Sequence, residues 1–152
     1  MSSPSCGALH PAPIPMGTSL AAKAAAFRSE LARSYLSGQE VQSILRVDVA
    51  TLTAWRKERR LLAVWHRAAD EWLYPDFQFD DGALIKEIPD LLLVYETYYG
   101  HVWKNSWGIV AWFMTPHLLL DGARPVDVMA ERPQQVLTVA RTEFLQDPST
   151  FW

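Results

Sequence analysis

The sequence contains little cysteine, scattered glycine and no long apolar run. A single cysteine, Cys6, among 152 residues excludes a disulfide framework and a zinc site built from several cysteines. The seven glycines form no phosphate-binding loop. The longest apolar run, Trp107 to Met114, is eight residues with its glycine, whereas a membrane span needs ~18. No basic segment followed by an apolar one opens the chain, so no signal peptide is expected and a cytoplasmic protein is predicted.

A recognisable catalytic or metal-binding set is also missing from the sequence. None of the four histidines lies four residues from another, and His10 and His66 are expected at the surface. Cys6 lies in a proline-rich arm, where a nucleophile would not be preorganised. Asp80 and Asp81 precede Gly82, which is typical of a solvated turn. We therefore expect a protein that is not an enzyme and needs neither cofactor nor metal.

What the chain does contain is enough apolar sequence for a packed core. Hydrophobic residues make up 49% and charged residues 20%, which excludes disordered and fibrous proteins and fits one domain or two very small ones. The charge is uneven. Residues 1–75 carry nine basic and six acidic side chains, and residues 76–152 carry five and eleven. This asymmetry indicates either two surfaces with different partners or uneven surface charge without function.

The first half of the sequence predicts a helix-turn-helix followed by a hairpin. A helix is expected over Ser19–Leu36, with apolar residues at helical spacing. Ser37 and Glu40 form a capping box that opens a short helix, and Asp48 caps a second helix near residues 49–59. The turn between them is Arg46-Val47-Asp48. Short strands at Leu61–Trp65 and Glu71–Tyr74 would form a β-hairpin wing.

The second half predicts helices separated by proline and glycine. Helices are expected from about Pro89, after Ser106, and from Pro125 and Pro133, and the apolar run after Ser106 is expected at the centre of the core. The predicted fold is mainly α, a winged helix-turn-helix with a small β-hairpin followed by an α-helical domain. Its predicted parts are a proline-rich arm at 1–18, the helix-turn-helix with its wing at 19–80, and a helical domain at 81–152.

Basic residues concentrate at the end of the second short helix and in the wing. Six Lys or Arg against two acids lie between residues 46 and 67. They either complement the helix dipole or contact phosphates. The start of that helix offers no Arg, Asn or Gln for reading bases. The predicted DNA-binding residues are Thr51, Thr53, Arg56, Lys57, Arg59, Arg60 and Arg67.

The seven tryptophans are the other abundant feature. Trp55, Trp107 and Trp112 lie on apolar helix faces and are expected in the core. The terminal pair Phe151-Trp152 either packs onto its own domain or anchors a partner. An alternative function is a small-ligand site lined by aromatic residues. Its candidate lining residues are Trp72, Tyr98, Tyr99 and Trp103.

Two sets of segments resemble known families. The runs Trp55–Val64 and Trp72–Phe79 resemble the helix-turn-helix and wing of excisionase and MerR-like regulators. A second set is similar to the toxin-binding C-terminal domain of Xre/MbcA/ParS-type antitoxins. It comprises Trp107–Phe113, Thr115-Pro116, Leu120–Asp127 and Val136–Ala140. Together the two resemblances cover about residues 36–145.

The resemblance implies an antitoxin that neutralises a RES-type toxin, an NAD-consuming enzyme, and that autoregulates its operon through its DNA-binding half. The implied partner-binding residues are Leu120, Asp121, Gly122, Arg124, Phe151 and Trp152. The alternative function is a DNA-binding transcriptional regulator or architectural protein of a mobile element without a toxin partner. In either case a homodimer is expected, because regulators commonly bind paired half-sites as twofold dimers.

Overall fold

A computed structural model of the chain describes residues 16–99 and 106–144. The chain divides into two compact units, Met1–Ser34 and Tyr35–Trp152. The predicted boundary near residue 80 falls inside the second unit. Within the described residues, no helix combines the length and the apolar character that crossing a membrane requires.

The first unit contributes one described helix, α1 (Met16–Ala32). Two of the large apolar side chains of this helix are exposed, Leu20 by 63% and Phe27 by 48%. The helix ends at Ala32 rather than at the expected Leu36. Glu30 and Arg33 form an exposed ion pair across its last turn, at 3.4 Å.

Two short helices open the second unit, and both begin at the predicted caps. Helix α2 (Gly38–Leu45) starts with the Ser37–Glu40 capping box, in which each side chain accepts a hydrogen bond from the other residue's backbone N–H. Arg46 ends α2 in the left-handed conformation, with φ of 57°. The Thr51 N–H then donates to Asp48 Oδ1 at 2.8 Å at the start of α3 (Val49–Lys57). The turn between the helices is therefore the predicted one.

A hairpin follows α3. Strands β1 (Val64–His66) and β2 (Glu71–Leu73) pair antiparallel, with Val64 opposite Leu73 and Trp65 opposite Trp72. Both strands are shorter than predicted. Tyr74, just beyond β2, exchanges two backbone hydrogen bonds with Leu36, at 2.8 and 2.9 Å. The hairpin is thereby attached to the segment that precedes α2.

A second, smaller hairpin connects these elements to the helical part. A short 3-10 helix (Asp76–Gln78) leads into β3 (Phe79–Asp80), which pairs with β4 (Ala83–Leu84). The predicted turn joins the two strands, with Asp81 and Gly82 both at positive φ. The strands on either side of this turn were not predicted, because two residues are too few to show an alternating pattern.

The remaining elements are helical. Their order is α4 (Ile88–Tyr99), α5 (Trp107–Phe113), a 3-10 helix (Leu118–Leu120), α6 (Pro125–Val128) and α7 (Pro133–Phe144). Trp107 and Trp112 are buried in this part, as predicted, and Phe113 is fully buried. Gly108 permits a close approach, because a Cβ there would clash with the Tyr95 hydroxyl oxygen. The described part of the chain is thus mainly α, with two small antiparallel sheets.

Candidate nucleic-acid interface

An apolar cluster holds α2, α3 and the β1–β2 hairpin together. Val41 of α2 and Leu52 of α3 are buried against residues that enter and leave the hairpin, namely Leu61, Ala63 and Tyr74. Trp55 is half-buried and packs on the same cluster, in agreement with its predicted core position. Because burial of such side chains contributes about 1.5–3 kcal/mol each, this cluster fixes the position of the hairpin relative to α3.

The segment between α3 and β1 is fixed by one buried polar side chain. Gln78 is fully buried, and its Oε1 accepts a hydrogen bond from the Leu62 N–H at 2.7 Å. Its Nε2 donates to the carbonyl oxygens of Leu62 and Pro75, at 2.7 and 3.0 Å. Gln78 therefore satisfies both backbone groups of a buried residue that has no strand partner. Sequence reasoning missed it, since a glutamine between two phenylalanines carries no periodic signal.

The outward face of the start of α3 is small and apolar. Val49 is 64% exposed, and Ala50 and Ala54 are also exposed. The predicted contacts Thr51 and Thr53 are half-buried. Such a face offers no side chain for bidentate reading of a base edge.

Two of the predicted basic residues stack on tryptophan rings. The Arg56 guanidinium lies 4.3 Å from the centre of the Trp72 ring, and that of Arg60 lies 5.5 Å from the centre of the Trp55 ring. Such pairs are worth about 0.5–1 kcal/mol at exposed sites. Burial raises the pKa of Tyr74, and the charge of the nearby Arg56 and a hydrogen bond from it act in the opposite direction. Arg56 therefore contacts the hairpin as well as presenting charge.

Of the other basic residues, one forms an ion pair with a helix distant in the sequence, and three are exposed. Arg59, in the left-handed conformation, forms an ion pair with Glu96 of α4. Lys57 at the end of α3 is exposed, and so is Arg67 in the turn of the β1–β2 hairpin. Arg46, between α2 and α3, is exposed as well. We call Arg46, Arg56, Lys57, Arg60 and Arg67 the basic surface.

Three of the predicted partner-binding residues, Leu120, Asp121 and Gly122, lie in a tight loop in the helical part. The Gly122 N–H donates to the His117 carbonyl at 2.9 Å, and the His117 N–H donates to the Ala123 carbonyl at 3.1 Å. Asp121 and Gly122 both have positive φ, which closes the turn. We call residues 117–123 the leucine loop. Leu120 is buried in it, so the apolar surface is presented by its neighbours Leu118, 93% exposed, and Leu119, 52% exposed.

His117 anchors this loop to α5 and α7. Its Nδ1 lies 2.8 Å from Glu143 Oε2, and its Nε2 lies 3.1 Å from the Trp112 carbonyl oxygen. Glu143 also accepts a hydrogen bond from the Trp112 indole N–H at 3.0 Å. Both ring nitrogens of His117 thus lie within hydrogen-bonding distance of an acceptor oxygen.

Arg124 is occupied by a local ion pair. Its guanidinium donates to both carboxylate oxygens of Asp127, at 2.8 and 3.0 Å. The hydrogen bond from Arg124 lowers the pKa of Asp127. Both side chains remain largely exposed. Any partner of Arg124 would therefore meet a paired charge rather than a free cation.

Other predicted residues have simpler placements. His66, expected at the surface, is half-buried in β1, and neither ring nitrogen has a hydrogen-bond partner in the described part of the chain. Phe151 and Trp152 lie outside the described residues, as do Cys6 and Trp103. Across residues 16–99 and 106–144, no group of His, Cys, Asp and Glu side chains is arranged to hold a metal ion.

Comparison with known proteins finds a protein of known structure with a similar fold. No protein family matches it, and neither does any curated protein sequence. The chain is similar to the protein in the NMR structure of Rv2175c, with a TM-score of 0.60 and 24% sequence identity. The similarity covers 72% of this chain and 80% of that chain. At this identity the likeness shows the fold alone.

Proposed function

We propose that the second unit binds duplex DNA, with α2 and α3 acting as a helix-turn-helix and the β1–β2 hairpin as its wing. The observation that carries the proposal is the basic surface. Lys57 is exposed at the end of α3, Arg60 in the segment that follows α3, and Arg67 on the hairpin turn. The recognition helix and the wing are the elements that approach DNA in a winged helix-turn-helix. A cationic surface of this kind contacts phosphates and positions the protein on the duplex.

The chemistry of α3 indicates which kind of DNA binding to expect. Phosphate contacts carry no sequence information, and the exposed start of α3 presents Val49, Ala50 and Ala54 rather than hydrogen-bonding side chains. We therefore expect binding with weak sequence preference and a strong dependence on salt. A homodimer would place two such surfaces on one duplex. Binding of the first surface would raise the effective concentration of the second and so increase the affinity.

A binding assay with matched variants tests this proposal. Fluorescence anisotropy with a labelled duplex of ~20 base pairs at low salt should show binding. Changing Lys57, Arg60 and Arg67 together to Gln should weaken it about equally on unrelated sequences. Changing Lys86, an exposed basic residue outside the basic surface, to Gln is the control and should have little effect. Absence of binding at low salt would contradict the proposal.

A second candidate function, neutralisation of a RES-type toxin by the helical part, is favoured by the leucine loop. Leu118 is the most exposed large apolar side chain among the described residues, and it adjoins the segment Leu120–Asp127 that resembles the antitoxin domain. Exposed apolar residues on an ordered loop are typical of a protein-binding surface. In this case the chain acts by stoichiometric binding rather than by catalysis, with the DNA-binding part regulating its own operon.

Coexpression tests this second candidate. The chain should rescue growth of cells that express a RES-type toxin encoded beside it, and should copurify with that toxin. Leu118→Asp should abolish both effects, and Leu93→Asp, a change at a residue that is 60% exposed on α4, should abolish neither. A neighbouring toxin that is neither bound nor neutralised would contradict the candidate.

A further inference from the structure

The aromatic residues of the β1–β2 hairpin form a surface that the binding of duplex phosphates does not use. Trp65 and Trp72 lie directly opposite each other on the two strands, so their side chains share one face of the hairpin. Their rings meet edge to face, with centres 5.3 Å apart. Trp65 remains 37% exposed. If Trp65 served only to pack the hairpin, burial of its exposed ring surface would stabilise the protein further.

This aromatic pair is continuous with the basic surface. Arg56 of α3 stacks on the Trp72 ring at 4.3 Å, so the order across the surface is a cation, a half-buried ring and an exposed ring. Beyond the end of α3, the guanidinium of Arg60 lies over the Trp55 ring. Alternating cations and aromatic rings are the chemistry that binds unpaired nucleotides, because the cations contact the backbone and the rings stack with bases.

The exposed ring is also held in place before any ligand arrives. The carbonyl oxygen of Trp65 accepts a hydrogen bond from the Trp107 indole N–H at 3.1 Å, which attaches β1 to α5. On the other strand, Leu73 is buried and Tyr74 is paired with Leu36. A ring on a fixed backbone with a fixed neighbour loses little freedom when a base stacks on it.

We infer that Trp65 is a stacking site for an unpaired nucleobase, and that the natural ligand of this surface is DNA containing an unpaired or extruded base. This inference rests on the proposed DNA binding and adds to it the class of DNA. Arg56 and Arg67 contact the phosphates beside that base. The hairpin then selects DNA that contains an unpaired base rather than a particular sequence. This agrees with the start of α3, whose exposed residues offer no side chain for reading base edges.

The test compares three labelled DNA ligands of equal length: a matched duplex, the same duplex with one bulged nucleotide, and a single strand. The wild-type chain should bind the bulged duplex about tenfold more tightly than the matched one, as expected for one stacked base. Trp65→Leu should remove this preference and leave matched-duplex affinity unchanged. Trp65→Phe, which retains an aromatic ring, should keep most of the preference. Leu118→Ser is the control variant and should behave as the wild type.

The outcomes separate this inference from the proposed function. Binding of all duplexes with equal affinity would overturn the inference and leave the proposed duplex binding intact, whereas no DNA binding at all would overturn both. If Trp65→Leu does not fold, photocrosslinking of the wild-type chain to the bulged duplex, with 5-iodouracil as the bulged base, gives the answer directly. The crosslinked peptide should contain Trp65. Crosslinking only to residues outside the β1–β2 hairpin would overturn the inference.

Discussion

The basic surface and the leucine loop differ in how their structures are fixed. The basic surface lies on short elements whose limits are set locally, by the Ser37–Glu40 capping box and the Asp48 cap. The leucine loop depends on residues far away in the sequence, since His117 is held by Glu143. Helix limits that are set by neighbouring residues can be predicted from the sequence, and a loop anchor supplied by a distant residue such as Glu143 cannot.

The two regions also differ in what they expose. The basic surface presents cations stacked on rings, whereas the leucine loop presents two aliphatic side chains beside an already paired Arg124. The first chemistry suits a polyanion and the second suits the apolar surface of a protein. The difference gives the charge asymmetry of the sequence a structural meaning. The excess of basic residues in the first half is concentrated between residues 56 and 67, from the end of α3 to the hairpin turn.

Among the polar side chains that support the two regions, the largest expected effect on stability is at Gln78, in the region of the basic surface. Gln78→Leu leaves the buried N–H and carbonyl of Leu62 without partners, and we expect a loss of about 2–4 kcal/mol in the free energy of unfolding. Urea denaturation measures it. Gln39→Leu, the same change at an exposed position of α2, should alter stability by less than about 0.5 kcal/mol. Equal effects of the two changes would contradict this role of Gln78.

A smaller effect is expected at His117, which supports the leucine loop. His117→Leu removes the contacts with Glu143 and with the Trp112 carbonyl, and we expect a loss of about 1–3 kcal/mol. The loop should also exchange its amide hydrogens faster, above all at Gly122, whose N–H donates to the His117 carbonyl. The amides of α2 and α3 should keep their protection. Faster exchange across both regions would show that they are not independently fixed.

The Asp48 cap at the start of α3 should make stability depend on pH. The hydrogen bond from Thr51 lowers the pKa of Asp48 below its usual value of 3.8. A lowered carboxyl pKa stabilises the fold above the pKa of the unfolded chain, and this contribution is lost as the pH falls through the folded-state value. Asp48→Asn retains a capping oxygen without a titrating group. The stability of the wild type relative to this variant should therefore decrease below about pH 4 in thermal melts, and a constant difference would contradict the assignment.

The smallest effect is expected at Leu118. Because its side chain is 93% exposed, Leu118→Ser should change the free energy of unfolding by less than about 0.5 kcal/mol. Leu120→Ala in the same loop removes a buried side chain and should cost about 2–5 kcal/mol. Comparing their thermal melts checks which leucine belongs to the core. A large loss for Leu118→Ser would mean that this side chain is buried in solution.

Sequence reasoning recovered the parts of the fold that depend on neighbouring residues. The two caps, the turn at Arg46–Asp48 and the hairpin follow from local backbone chemistry, and the structure confirms them. The ion pair between Arg59 and Glu96 joins residues 37 apart, and no local pattern identifies it.

In the candidate sites, too, the sequence predicts features that depend on neighbouring residues but not those that depend on distant contacts. The concentration of cations near α3 could be read from the sequence, but not which of them are exposed and which are paired or stacked. In the leucine loop, three consecutive leucines look alike in the sequence. Only the folded chain distinguishes the buried Leu120 from the exposed Leu118.

The central claim is that the basic surface binds DNA through phosphate contacts, and the salt dependence of binding tests it most directly. For a ~20-base-pair duplex, the logarithm of the association constant should fall linearly with the logarithm of salt concentration. In the Lys57→Gln, Arg60→Gln, Arg67→Gln triple variant the slope should be shallower by about 2–3, at about 0.9 for each lost phosphate contact. An identical slope in the folded triple variant would contradict the claim.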